Sequence, residues 1–150
     1  MQRLIIGVGN EFRGDDIAGL NVVRGLAHLE SKQLLLTEAP GDASDLIELW
    51  KDHDDVILID AVSSGGIPGS VYRFDVIHES LPSEWSSYST HALGIYQGIE
   101  LARVLNRLPK KLILYGIEGE LFKTTTEVSK EVKTGIKDVI QLIENEINHV

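Results

Sequence analysis

Residues 4–19 constrain the fold of this chain more than any other part of its sequence. Residues 4–6 are a short apolar run, which is typical of a strand buried on both faces. Gly7 and Gly9 follow, and glycine allows a tight turn that leaves the main chain uncovered. From Ile17 onward, apolar residues recur at helical spacing. The stretch therefore predicts a buried strand, a glycine-rich turn and a helix.

Strands and helices alternate through the rest of the chain, which predicts an α/β protein. Further strands are predicted at residues 33–38, 56–62, 70–75 and 111–118, and further helices at residues 44–50, 91–108 and 127–147. The alternating pattern of residues 70–75 indicates an edge strand that runs antiparallel to its neighbour. The irregular residues 77–90 are predicted to be a long loop. We expect a three-layer sandwich, with helices on both faces of a twisted, mostly parallel sheet of about five strands.

Composition excludes several classes of function. The 150 residues include no cysteine, so a disulfide scaffold, a thiol nucleophile and a thiolate metal site are all excluded. The net charge of −9 argues against nucleic acid as the main partner, because phosphate binding needs a basic face. No apolar run approaches the ~20 residues that span a membrane, and the N-terminus has no signal pattern. We expect a single domain, residues 1–150, in the cytoplasm.

Polar residues follow several of the predicted strands. In open parallel sheets, sites form beyond the carboxyl ends of the strands. Asp15 and Asp16 come after the glycine turn, where carboxylates cap helices; two adjacent ones leave one free for another role. Asp60 ends the most apolar strand and there needs a hydrogen-bond partner or a cation. His91 lies at a junction between loop and helix. Two carboxylates and an imidazole at one sheet edge suit nickel, zinc, manganese or iron(II) and leave positions for water or substrate.

The glycine turn allows a second interpretation. Gly7-Val8-Gly9 after a strand is also the start of a dinucleotide-binding fingerprint, but Phe12 stands where that fingerprint needs its third glycine. The chain has neither a phosphate-cradling Gly-x-x-x-x-Gly-Lys loop nor a Gly-x-Ser-x-Gly elbow. A nucleotide- or small-molecule-binding module built on residues 7–10 is therefore the alternative to a metal site.

Four segments together resemble one family. They are residues 5–19 (IIGVGNEFRGDDIAG), 57–61 (ILIDA), 89–94 (STHALG) and 114–117 (LYGI). Their order and spacing resemble those of the nickel–iron hydrogenase maturation endopeptidases. That family removes a C-terminal extension from the hydrogenase large subunit after nickel has been inserted. The resemblance implies the same mostly parallel sheet between helices.

The resemblance also implies roles for particular residues. The family's metal-contacting positions fall on Asp16, Asp60 and His91, which would engage nickel carried by the substrate and take part in catalysis. The implied partner is the hydrogenase large-subunit precursor, bound by a monomer. A relative that binds the precursor without cutting it is a further alternative.

Substrate contacts are expected at Gly9, Asn10, Glu38 and Gly41. Many family members carry Asp-Gly-Gly or a similar sequence after the second strand. This chain has the longer Glu38 there and a stiffening Pro40 before Gly41. The difference bears on which precursor is recognised.

Overall fold

A five-stranded sheet forms the centre of the protein. The computed structural model describes residues 2–40, 43–87 and 94–148. Its strands are β1 (Arg3–Val8), β2 (Leu34–Ala39), β3 (Asp55–Val62), β4 (Val71–Asp75) and β5 (Lys111–Glu118). Their order in space is β2-β1-β3-β5-β4; all neighbouring pairs are parallel except β4 with β5, which is antiparallel. The predicted antiparallel edge strand is confirmed.

Helices cover both faces of the sheet, which confirms the three-layer sandwich. They are α1 (Ala18–Gly25), α2 (Leu46–Trp50), α3 (Ile95–Val104) and α4 (Lys130–Asn148). The cores show the layers: Val22 of α1 and Val139 of α4 share one cluster, whereas Trp50 of α2 and Ile99 of α3 share the other. No described helix is long and apolar enough to cross a membrane.

Strand β3 lies in the middle of the sheet and is buried on both faces. Ile57 and Ile59 pack into the α1–α4 core, and Val56 and Leu58 pack into the α2–α3 core. This alternation explains why the strand is apolar without interruption. By the same alternation, Asp60 near the carboxyl end of β3 lies on the face of Val56 and Leu58.

Several element boundaries differ from the prediction. The first helix opens with a 3-10 turn at Gly14–Ile17, and the predicted helix at residues 44–50 also begins with a 3-10 turn. Helix α4 begins at Lys130 rather than at residue 127, because Ser129 is held by hydrogen bonds to Asp15. Residues 91–93 of the predicted third helix lie outside the described residues.

The predicted loop at residues 77–90 contains a 3-10 turn, Ser83–Ser87. Trp85 of this turn is buried and meets Tyr72 and Phe74 edge to face, with ring centroids 5.3 and 5.2 Å apart. Such aromatic pairs stabilise a contact beyond the area that they bury. The segment is therefore packed onto the antiparallel edge strand, which its irregular sequence did not indicate.

Two glycines allow α1 to lie directly on the sheet. A Cβ atom on Gly19 would stand 2.4 Å from the carbonyl oxygens of both Val8 and Ile59, and one on Gly7 would stand 2.3 Å from the carbonyl oxygen of Gly19. These distances are far shorter than a carbon atom tolerates. The start of α1 is thus in contact with the ends of β1 and β3. This contact brings the turn before α1 next to Asp60.

A polar cluster fastens the end of α4 to the sheet. The Tyr115 hydroxyl donates a hydrogen bond to Glu146, and Arg73 Nε donates to Tyr115 at 3.2 Å and to Glu146 at 2.8 Å. Burial raises the pKa of Tyr115 to about 12, and the hydrogen bond to Glu146 acts in the same direction.

Removing this hydroxyl should change the alkaline stability of the protein. Because the folded-state pKa is raised, the protonated hydroxyl stabilises the folded state fully below the unfolded pKa of about 10. This stabilisation is lost as pH rises towards 12. We expect Tyr115→Phe to be less stable by about 1 kcal/mol at neutral pH and to lose less stability between pH 10 and 12. Urea unfolding at a series of pH values measures both effects. Equal pH slopes in wild type and variant would contradict the assignment.

Candidate active site

The structure brings together the two carboxylates of the predicted site, Asp16 and Asp60. Asp60 lies near the carboxyl end of β3, and Asp16 lies in the 3-10 turn that packs against β3. Both are buried, with 7% and 2% of their surfaces exposed. Burial raises the pKa of Asp60 well above its ordinary value; the negative charge of Asp16 raises it further, and a hydrogen bond from the Ala61 main chain opposes the shift. A cation or a shared proton would relieve the repulsion between two such buried carboxylates.

Asp15 faces away from this pair and has a structural role. Its carboxylate accepts hydrogen bonds from the amides of Glu120, Leu121 and Ser129 at 2.8–3.0 Å, and from the Ser129 hydroxyl at 2.8 Å. Burial by itself would raise the pKa of Asp15, but these hydrogen bonds outweigh it and leave the pKa below its ordinary value.

The sequence allowed one of these two aspartates to cap the helix after the turn, and the structure shows no such cap. Neither the 3-10 turn nor α1 has a side-chain cap hydrogen bond. Asp15 instead holds the amide of Ser129, directly before α4, together with the loop that follows β5. The different roles of Asp15 and Asp16 follow from the position of α4, which is more than a hundred residues away in the sequence.

His91 and Gly41 lie outside the described residues, so their predicted roles stay predictions. Within residues 2–40, 43–87 and 94–148, no three His, Asp or Glu side chains are grouped so that they could hold a metal ion. The described part of the site is therefore the Asp16–Asp60 pair.

The turn that carries Gly9 and Asn10 is held by its own hydrogen bonds. The Gly9 amide donates to the Ala39 carbonyl at 3.1 Å, and the Asn10 amide donates to Asp16 Oδ2 at 3.1 Å. Asn10 Oδ1 accepts from the Phe12 amide at 2.9 Å. Both main-chain amides are thus used within the protein. The Asn10 side-chain NH₂ makes no hydrogen bond to any described residue.

Substitution of Gly9 should disturb the site through Asp16. A Cβ atom at Gly9 would stand 2.0 Å from the Asp16 carbonyl oxygen. We expect Gly9→Ala to lose about 1–3 kcal/mol of stability, because main chain must move to make room. Gly25→Ala is the matched control, since the methyl would meet the movable end of Ile140 first. Thermal unfolding of both variants measures the difference, and equal stability of the two would contradict the expected clash.

A groove of about 340 Å³ lies beside this turn. Gly9, Asn10 and Glu38, three of the predicted substrate-binding residues, line it together with Phe12 and Arg24. Arg24 holds Glu38 through two hydrogen bonds of 2.9 and 3.0 Å, and it contacts Glu11 at 3.4 Å. Glu38 is therefore held by a bidentate ion pair with Arg24.

Glu118 is a buried carboxylate whose role the sequence did not indicate. It ends β5, next to β3, and only 1% of its surface is exposed. It accepts hydrogen bonds from the Ser64 amide at 2.8 Å, from the Ser64 hydroxyl and from the Tyr72 hydroxyl at 2.9 Å. These bonds fix the loop that follows Asp60. The available signal was its position, since a Glu directly after an apolar strand needs partners.

Comparison with known proteins agrees with this architecture. Residues 20–146 match the model of the HycI hydrogenase maturation protease family. "Hydrogenase 2 maturation protease" of Escherichia coli is 25% identical over 150 residues, which cover 95% of this chain and 88% of that protein. "Hydrogenase expression/formation protein HupD" of Thiocapsa roseopersicina is 26% identical over 144 residues, covering 93% of this chain. This chain spans 64% of the length of that second protein.

A solved structure shows the same fold. The [NiFe] hydrogenase maturation protease HybD from Thermococcus kodakarensis superposes with a TM-score of 0.69 at 27% identity, covering 97% of this chain and 98% of that one. The described strands and helices therefore form the α/β fold of a hydrogenase maturation protease. Because the family match extends over most of its length, this chain belongs to the hydrogenase maturation protease family.

Proposed function

We propose that this protein is an endopeptidase that removes the C-terminal extension of a nickel–iron hydrogenase large-subunit precursor after nickel insertion. The observation that carries the proposal is the pair of buried carboxylates, Asp16 and Asp60, at the carboxyl edge of the sheet. Family membership supports the hydrolase class and the precursor as partner. The nickel belongs to the substrate and signals that the precursor is ready to be cut.

We assign a separate role in cleavage to each residue of the site. Asp16 and Asp60 supply oxygen ligands that nickel accepts, and His91 is the proposed third ligand. Nickel in the substrate would polarise the scissile carbonyl or lower the pKa of a bound water. A carboxylate of the pair is the alternative base for the attacking water. The Asn10 side-chain NH₂ donates to the substrate strand or to the developing oxyanion.

Cleavage of a purified precursor tests this function. The large-subunit precursor from the same organism is prepared with and without nickel, incubated with the protein and weighed by mass spectrometry. We expect loss of the C-terminal extension from the nickel-loaded precursor only. A complex that forms without any change of mass would instead identify a non-catalytic relative, and cleavage of both forms would contradict nickel as the signal.

A further inference from the structure

Strand β2 is an edge strand that is open at one end. The Gln33 and Ala39 carbonyls accept hydrogen bonds from β1 and the turn after it, so the main chains of residues 34, 36 and 38 face away from the sheet. The Leu34 amide donates to the Ser31 carbonyl, and the Leu36 amide donates to the Glu30 carboxylate. The outward main chain of Glu38 makes no hydrogen bond to any residue that the structure describes. Glu38 is therefore an open pairing position of this edge.

An exposed aromatic side chain stands beside this position. Phe12 lines the same groove as Glu38 and has 62% of its surface exposed, although it lies only four residues before the buried Asp16. Its amide is fixed by Asn10 Oδ1, so the ring is presented from a turn with a defined conformation. When a peptide adds to a strand edge, main-chain bonds give affinity and side-chain contacts give specificity, and Phe12 offers such a contact.

The groove also leads to the carboxylate pair. Asn10 lines it and simultaneously donates its amide to Asp16. A peptide lying in the groove would thus lie beside a residue that is hydrogen-bonded directly to Asp16. Arg24 faces two carboxylates, Glu11 and Glu38, so these groups together carry one excess negative charge. That balance favours an uncharged or basic segment over an acidic one.

We propose that the precursor segment next to the scissile bond binds in this groove as an added strand. It pairs with the outward N–H and C=O of Glu38 and packs an apolar side chain against Phe12. This inference rests on the proposed function, since it assumes that the precursor is the substrate. Main-chain pairing supplies affinity that does not depend on sequence, and the side-chain contact with Phe12 supplies specificity.

Two matched pairs of variants test the inference. Glu38→Pro and Glu38→Ala both remove the ion pair to Arg24, but only proline also removes the outward N–H. Proline is tolerated there because that N–H serves no bond within the sheet. Phe12→Ala is compared with Val104→Ala, which removes an apolar side chain, 82% exposed, from the end of α3. Thermal unfolding checks that each variant is folded.

Cleavage kinetics on the nickel-loaded precursor give the readout. We expect KM to rise about tenfold for Phe12→Ala, and to rise several-fold more for Glu38→Pro than for Glu38→Ala, with kcat nearly unchanged. Val104→Ala should match the wild type. If the wild type cleaves and all four variants share its KM, the inference is wrong while the proposed function stands. If the wild type does not cleave, the proposed function fails and the inference fails with it.

Hydrogen–deuterium exchange gives a second, independent readout. We expect the amide of Glu38 to be protected when the nickel-loaded precursor is bound to the wild type, because it then donates to the added strand. The amide of Lys51, exposed after α2, serves as the reference that should not change. A complex that forms and leaves the Glu38 amide unprotected would overturn the strand pairing.

Discussion

The Asp60→Asn variant is expected to lose at least a hundredfold in cleavage of the nickel-loaded precursor while becoming more stable than the wild type. The loss follows because asparagine removes a charged ligand and base from the Asp16–Asp60 pair, and such groups contribute about 10²–10⁴-fold. The gain follows because a buried charge that faces another negative charge opposes folding. Opposite effects on activity and stability distinguish a functional carboxylate from a structural one.

The pH dependence of this stability gain has a definite sign. Burial and the charge of Asp16 raise the folded-state pKa of Asp60, so the folded state holds its proton more tightly than the unfolded state does. The penalty is absent below the ordinary pKa of about 3.9 and grows as pH rises above it. The stability difference between Asp60→Asn and the wild type should therefore widen from acidic to neutral pH. Thermal and urea unfolding measure it.

Asp138→Asn is the matched control for this prediction. Asp138 is an exposed aspartate on α4, so the same substitution there should change neither cleavage nor stability. Normal cleavage by Asp60→Asn would remove the carboxylate pair from the mechanism. Asp16→Asn should also lose cleavage, since its carboxylate belongs to the same pair.

The Asp15→Asn variant is expected to be the least stable of the single substitutions considered. Asp15 accepts four hydrogen bonds, three of them from main-chain amides, and none of its surface is exposed. An amide has only one acceptor oxygen and brings two donors of its own, so buried N–H groups lose their partner. We expect a loss of about 3 kcal/mol, which lowers the unfolding temperature by about 10 °C.

Acid unfolding separates this effect from a general loss of packing. Hydrogen bonds keep the pKa of Asp15 below its ordinary value in the folded state, so they stabilise the protein above the unfolded pKa of about 3.9. This contribution disappears as pH falls through the folded-state pKa. The variant should therefore lose less stability than the wild type on acidification. Asp52→Asn, at an exposed aspartate, should leave both the stability and its pH dependence unchanged.

The layers of the fold, its buried central strand and one edge strand were accessible from the sequence, because they depend on local patterns. The uninterrupted apolar run that ends at Asp60 predicted a strand buried on both faces, and β3 is the central strand. The alternation in residues 70–75 predicted an antiparallel edge, where β4 lies. Such patterns report burial directly, since each face of a strand meets either a helix or solvent.

The distinction between adjacent acidic residues was not accessible in this way. Asp15 and Asp16 are neighbours of the same type, yet one holds the start of α4 and the other meets Asp60. Only the packing of α1 against the strand ends, through Gly19, and the path of the chain after β5 separate their roles. Likewise, the ion pair that turns Glu38 towards Arg24 depends on how α1 lies beside β2.

The sequence by itself therefore determined the class of fold and the position of Asp16 and Asp60 at the carboxyl edge of the sheet. These follow from periodicity and from strand ends, which are local properties. The tertiary structure decided which polar residues are partners, because hydrogen bonds and charge repulsion act between groups brought together from distant parts of the chain. In the tertiary structure, Asp16 lies beside Asp60, and Asp15 binds the amide of Ser129 directly before α4. The outward edge of β2 at Glu38 stays open beside Phe12.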